Sequence, residues 1–169
     1  SVVRRDDGTI GVFPHIVLDR AKPGLIAVDA RGRRFVNEGV GYHTFGRAQY
    51  AAGAIPCWLV CDSRFIRKYG FGLVRPGPMP LGRFLRAGYL FRGRTLGDLA
   101  RAIDVPADAL AESVAQANEA ARTGIDTQFG KGTTGYNRYL GDPGHLPNPC
   151  LGPIARAPFY ALRIFPGDI

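Results

Sequence analysis

The sequence predicts an α+β domain: a small mixed or antiparallel sheet with flanking helices. Three observations predict it. Residues 24 to 37 carry a hairpin signature, an apolar run, a turn around Asp29 to Gly32, then a second run ending at Asn37. Residues 106 to 122 show apolar positions at Leu110, Val114, Ala117 and Ala121, recurring every three or four residues as on one helix face. A last β-rich stretch, Phe159 to Phe165, follows much later and stops at Pro166. Strands and helices do not alternate regularly, which argues against βαβ units.

Residues 1 to 23 read as loop: a charged start, then Gly-Val-Phe-Pro-His, then Ala-Lys-Pro-Gly. After the hairpin, 42 to 53 suits a short helix. Residues 56 to 61 are apolar and suit a buried strand, with Asp62 or Ser63 placed to cap a helix running to about Tyr69. Glycines and prolines make 70 to 80 a loop. A helix is expected near 80 to 88 and a strand near 89 to 92. Thr95 can cap a helix over 96 to 103. Pro106 suits the first turn of the next helix and Gly124 its stop. The Gly-, Pro- and Asn-rich stretch 124 to 157 is too long for an ordinary connection, so it is functional or packed on something.

The bulk properties bound the function. At 169 residues the chain is one domain, or one domain with an arm. Net charge is +8, but Arg4, Arg5, Arg20, Arg33, Arg34, Arg64 and Arg67 are scattered without a dense run, so a nucleic-acid partner is not expected. The three cysteines, Cys57, Cys61 and Cys150, show no disulfide framework and suggest a reducing, cytoplasmic compartment. On a strand, Cys57 and Cys61 share one face, which points to burial. No cysteine/histidine cluster has metal-ligand spacing. No apolar run reaches the roughly 18 residues that span a bilayer, and there is no signal peptide. Both ends read as artificial boundaries rather than natural termini. No Gly-x-Gly-x-x-Gly follows a strand, so the chain lacks a nucleotide-binding signature of its own.

Three segments resemble one family in one order. Pro-Gly-Leu-Ile-Ala-Val-Asp-Ala-Arg-Gly-Arg-Arg-Phe-Val-Asn-Glu at 23 to 38 resembles the start of the capping domain of the fumarate reductase and 3-ketosteroid dehydrogenase superfamily. Asp-Thr-Gln-Phe-Gly-Lys-Gly, Tyr-Asn-Arg-Tyr-Leu-Gly-Asp-Pro and Pro-Asn-Pro within 126 to 149 are similar to the ketosteroid dehydrogenase branch. Pro-Phe-Tyr-Ala-Leu-Arg-Ile-Phe-Pro-Gly-Asp at 158 to 168 resembles the strand that returns to the flavin domain. The resemblance implies the capping (catalytic) domain of a fumarate reductase-type flavoprotein. Residues 1–22 would be an arm from the FAD domain, 23–165 the cap, and 166–169 the return. FAD would be bound by parts of the protein before Ser1 and after Ile169, and the cap would close over the flavin and exclude water.

The resemblance also nominates site residues. Four positions past Glu38, fumarate reductases hold an arginine that protonates substrate, and ketosteroid dehydrogenases a tyrosine that takes a proton beside the ketone. Here that position is Tyr42. An always-charged arginine suits a dicarboxylate, whereas a phenol suits a neutral ketone in a dry site. The implied substrate is therefore steroid-like or another cyclic enone; the plain alternative is a surface or core tyrosine. Tyr160 resembles the family tyrosine beside the substrate carbonyl, although alternating aromatics at a strand start usually face a core. His43 adjoins Tyr42 and would tune its hydroxyl. His15, in Phe-Pro-His, is compared with the substrate-binding histidine of fumarate reductases, in a different residue order; a plain loop histidine is the rival. Asn37 and Glu38 are read as architectural, and the Arg33-Arg34 pair as turn and surface chemistry. Two alternatives stay open: a fumarate or succinate-type enzyme, which predicts a cationic pocket, and a non-catalytic binding module of the same fold.

Overall fold

A computed structural model of the chain describes residues 1–4, 8–15 and 19–167. Two short strands, β1 (Val2–Arg4) and β2 (Ile10–Val12), pair antiparallel, with Val2 opposite Val12. The chain start was expected to be loop-like; three-residue strands are too short to leave a period-two signal. The main sheet holds β3 (Leu25–Val28), β4 (Cys57–Asp62), β5 (Leu90–Gly93) and β6 (Phe159–Ile164) in the order β3-β4-β6-β5, every neighbour antiparallel. Six residues of β4 pair with six of β6, from Cys57 opposite Ile164 to Asp62 opposite Phe159.

This sheet is covered on both faces. Leu25, Cys57, Leu59, Cys61, Tyr160 and Leu162 point to one core; Ile26, Trp58, Val60 and Ala161 point to the other. Two buried faces explain why β4 reads as an unbroken apolar run rather than an alternation. Helices α1 (Tyr42–Ala52), α2 (Ser63–Tyr69) and α3 (Gly82–Arg86) cover the first face through Phe45, Phe65, Ile66 and Phe84. Helices α4 (Leu96–Ala102) and α5 (Ala107–Thr123) cover the second through Leu99, Leu110 and Val114. The helix signals work as expected. Asp62 accepts the main-chain N–H of Arg64 and Phe65, Thr95 and Asp98 form a reciprocal cap, and Gly124 ends α5 at φ 78°.

The expected hairpin is corrected. Residues 33 to 37 form no second strand: Arg34 makes a single bridge to Val28, and β3 pairs with β4 instead. The turn itself forms, with Asp29 Oδ1 accepting from the N–H of Arg31 and Arg33. Beyond it the Arg34 side chain turns inward to buried carboxylates and Asn37 Oδ1 accepts from Gly39 N, which pulls the chain off the sheet. The stretch 124 to 157 also contains a short helix that its composition did not suggest, α6 (Gly135–Leu140), capped by Thr134. The stretch is packed onto the body: Asn137 Nδ2 donates to the Gly39 carbonyl and Lys131 Nζ to the Leu25 carbonyl. No helix among the described residues is long and apolar enough to cross a membrane.

Candidate active site

One cavity of about 280 Å³ opens where three elements meet. The β1–β2 hairpin gives one wall through Val2 and Val12, helix α1 a second through Tyr42 and Phe45, and the end of β6 a third through Ile164 and Phe165. The walls are mostly apolar because each element turns an apolar face to its neighbours. The rim stays open: Val2, Val12, Tyr42 and Phe165 are each more than two-fifths exposed. Such an apolar patch marks a surface that meets something.

The floor is polar and buried. His15 Nδ1 lies 2.5 Å from Asp19 Oδ2, and His15 Nε2 lies 2.8 Å from Ser1 Oγ. Ser1 Oγ continues to the Tyr89 hydroxyl at 2.7 Å, which accepts the Leu73 N–H at 2.9 Å. Burial by itself pushes the Asp19 carboxyl up, but the charge and hydrogen bond of His15, helped by Arg20, hold it below the usual carboxylate range. Asp19 Oδ1 is buried without a hydrogen-bond partner. Arg20 stands beside this pair. Its Nε donates to the His15 carbonyl at 2.6 Å, its Nη1 to the carbonyls of Glu38 and Val40, and its guanidinium lies 4.4 Å from the Phe45 ring centroid.

A second buried polar cluster lies outside the cavity. Glu38 accepts from Arg34 Nε and Nη2 at 3.0 Å and from the Ala27 N–H at 3.0 Å, and Lys131 Nζ lies 3.5 Å away. Arg34 also reaches both Asp126 oxygens, at 3.1 and 2.9 Å. Glu38 is architectural, as expected. Arg34 is not surface chemistry: its side chain is 4% exposed, and its charge is held by two carboxylates.

Of the nominated residues, the cavity brings together Tyr42 and His15. Tyr42 is the first residue of α1, just after Gly41, so its ring leaves the helix at its open end beside the cavity. His43 points elsewhere; its ring is exposed and meets Tyr42 edge-on with centroids 6.5 Å apart. Tyr160 is 5% exposed inside the first core, between Cys61 and Arg92 on adjacent strands, and burial raises its pKa. It is absent from the cavity wall, which β6 reaches only at its far end, Ile164, four residues on. Sequence reasoning did not find Asp19 and Arg20. A charged pair just ahead of the buried Pro23-Gly24 corner was the available signal.

Among the described residues, no group of three His, Cys, Asp or Glu could hold a metal ion. The exposed apolar rim does suit the flat ring of a flavin. Among the described residues, no glycine-rich turn leading into a helix offers a nest for its diphosphate.

A family model described as FAD binding domain matches residues 2–169. The chain belongs to this FAD binding domain family. FAD is the cofactor that goes with this membership, as the resemblance implied. The further expectation, that FAD is held wholly outside these residues, gains no support from a match this long. The FAD binding domain chain is 45% identical over 175 residues to 4-oxocyclohex-2-ene-1-carboxylate 5-dehydrogenase of Sinomonas cyclohexanicum, covering 100% of the chain and 29% of that protein. It is 37% identical to 3-oxosteroid 1-dehydrogenase of Mycolicibacterium smegmatis, covering 89% of the chain and 28% of that protein. A 3-ketosteroid delta1-dehydrogenase from Sterolibacterium denitrificans, solved with 1,4-androstadiene-3,17-dione, superposes with a TM-score of 0.90 at 36% identity, covering 99% of this chain and 31% of that one. A flavocytochrome c3 fumarate reductase shares the fold, with a TM-score of 0.62 at 21% identity, covering 85% of this chain and 21% of that one. The chain therefore spans less than a third of the length of these relatives.

Proposed function

We propose that this chain is the substrate-capping part of an FAD-dependent dehydrogenase that removes hydrogen from a CH–CH bond beside a cyclic ketone. The observation that carries this reading is the place of Tyr42, an uncharged phenol on the open rim of an otherwise apolar cavity. The relatives supply the reaction class: they are dehydrogenases of 3-oxosteroids and of an oxocyclohexene carboxylate.

In this reading the flavin, when bound, accepts a hydride from the substrate. The chain's own residues do the rest. Tyr42, as phenolate or through a relay that takes its hydroxyl proton, removes the proton from the carbon next to the ketone and ends as the neutral phenol, leaving an enolate whose next carbon gives up the hydride. Val2, Val12, Phe45 and Phe165 exclude water from the reacting bond. The rim that includes Tyr42 and Phe165 would face the flavin ring. We assign no step to Tyr160, which packs in the core, or to His43, which faces away from the cavity. The cytoplasmic placement belongs to the same reading; all three cysteines are free and buried.

A second reading, a fumarate or succinate-type enzyme, is favoured by one observation: Arg20 lies in the cavity floor. Full-length protein assayed with a dye acceptor separates the two. Reduction of the dye with a cyclic ketone and none with succinate is expected. Turnover of succinate alone would overturn the proposal in favour of the second reading. Bound FAD without turnover of either would favour a binding module.

A further inference from the structure

The charge of this chain is unevenly placed. Residues 63–97 carry eight Lys or Arg and no Asp or Glu, so this one segment holds a charge equal to the +8 of the whole chain. Along the sequence these cations are scattered; the fold gathers them on one side. Arg64 and Arg67 lie on α2, and Arg83 and Arg86 on α3, the helices that cover the first face of the sheet. Arg75 lies in the loop between them, which is tied to α2 by Gly77 N–H donating to the Arg67 carbonyl and to the first core by Val74. Arg92 points to the same side, because it alternates on β5 with Leu90 of that core.

All six arginines are exposed, and none of them makes an ion pair among the described residues. Lys68, at the border of this surface, differs: Asp142 holds it at 2.6 Å. Helix α1, on the same face, has no acidic residue either. The helical acids lie across the sheet instead, Asp98 on α4 and Asp108, Glu112 and Glu119 on α5. Like charges gathered on one side repel one another, and nothing within the described residues relieves them. An anionic partner would.

We infer that this arginine surface docks on an anionic lipid leaflet. A leaflet presents phosphates as a continuous sheet, so it meets arginines on two helices, a loop and an edge strand without any matched spacing. Guanidinium groups also take phosphate oxygens in pairs. A folded acidic protein would need a carboxylate set opposite each arginine. A single-stranded nucleic acid would need rings for its bases, and no large aromatic or aliphatic side chain between 63 and 97 is among the exposed ones. The same fact limits the contact to lipid headgroups: the domain adsorbs by charge and does not insert. The cavity borders this side through α1 and Ile164. In the dehydrogenase reading, an uncharged ring ketone dissolved in lipid then has a short path to Tyr42. The docking surface itself stands apart from that reading.

Sedimentation of the full-length protein with vesicles tests this apart from turnover. The probes are vesicles of phosphatidylcholine alone and of phosphatidylcholine mixed with phosphatidylglycerol. The anionic vesicles are expected to bind the protein at least about tenfold more tightly, and salt near 1 M, where screening acts within about 3 Å, should abolish the difference. Each arginine near the surface contributes about fivefold, so the double variant Arg83→Gln/Arg86→Gln should weaken binding by about 25-fold. The control is Arg101→Gln/Arg122→Gln, which removes the same charge from α4 and α5 across the sheet and should leave vesicle binding nearly unchanged. Equal affinity of the wild-type protein for the two kinds of vesicle would overturn the inference, whichever variants fold. Equal losses in the two double variants would overturn it too, because they would assign binding to net charge rather than to this face. Binding to duplex DNA with none to anionic vesicles would overturn it in favour of a nucleic-acid partner. Dye-linked turnover of a water-soluble cyclic ketone is expected to be the same in wild-type and Arg83→Gln/Arg86→Gln protein, so failure of the dehydrogenase reading and failure of the docking surface show in different assays.

Discussion

Glu38 and Lys131 are both 2% exposed or less, and with Arg34 and Asp126 they make a closed set of two cations and two anions. Glu38→Gln removes one anion and leaves Lys131 without its carboxylate. Lys131→Met removes one cation and leaves Glu38 and Asp126 sharing Arg34. Each single change strands one buried charge, which costs about 3–5 kcal/mol. The double change removes one charge of each sign and leaves the bidentate Arg34–Asp126 pair neutral. If the two effects were independent, the double variant would lose about 6–10 kcal/mol, the sum of the singles, enough to unfold most domains of this size. The account predicts instead a loss close to that of one single variant, a coupling of about 3–5 kcal/mol. Urea denaturation followed by circular dichroism reads this directly. With a slope of about 2 kcal/mol per molar, each single change lowers the midpoint by about 1.5–2.5 M. Additive losses would refute the reasoning, because they would mean that the charges do not act as one set.

The remaining predictions concern other parts of the fold. Asp62 accepts four main-chain N–H groups, two at the start of α2 and two from Ala155 and Arg156, at 2.8 to 3.0 Å. Asp62→Ala should therefore cost more than the ~1 kcal/mol of an ordinary cap, on the order of 2–4 kcal/mol, seen as a lower melting temperature. Acid should weaken the fold through Glu38 and Asp126. Burial favours their protonated forms, but Arg34 and its neighbours hold both folded pKa values below the ordinary ones. Their contribution is complete above the unfolded value near pH 4 and is lost as pH falls through the lower folded values, so urea midpoints should drop below about pH 4. A midpoint unchanged down to pH 2 would count against this. The thiols should resist labelling. Burial pushes Cys57 up to about 12 and Cys61 well above its ordinary value, so a thiol reagent at pH 8 should react with neither until urea is added.

Some of this architecture was legible in the sequence for local reasons. Helix α5 showed itself because Leu110, Val114 and Ala117 face one core, with Pro106 and Gly124 marking its ends. The α2 cap was legible in Asp62 because capping depends on neighbours in the chain. The partner of β3 was not. Gly-Arg-Arg-Phe-Val-Asn-Glu has the look of a returning strand, yet Arg34 and Glu38 are drawn to Asp126 and Lys131, about 90 residues away. No local period encodes that pull. The site divides in the same way. Tyr42 and His15 could be named from motifs, whereas the polar floor appears only when the end of the β1–β2 hairpin, the turn at Asp19–Arg20 and α1 meet. Tyr160 illustrates the reverse: its motif is right for the family resemblance, but the register of β6 against β4 turns it into the core.

The central claim is that the Tyr42 phenol moves a proton. It is tested most directly by steady-state turnover of full-length Tyr42→Phe with a cyclic ketone substrate, alongside the melting temperature. The account predicts a fall in kcat of about a hundredfold or more, with little change in KM and an unaltered melting temperature, since the Tyr42 side chain is 43% exposed and supports little of the core. Turnover close to that of the unaltered protein would contradict it.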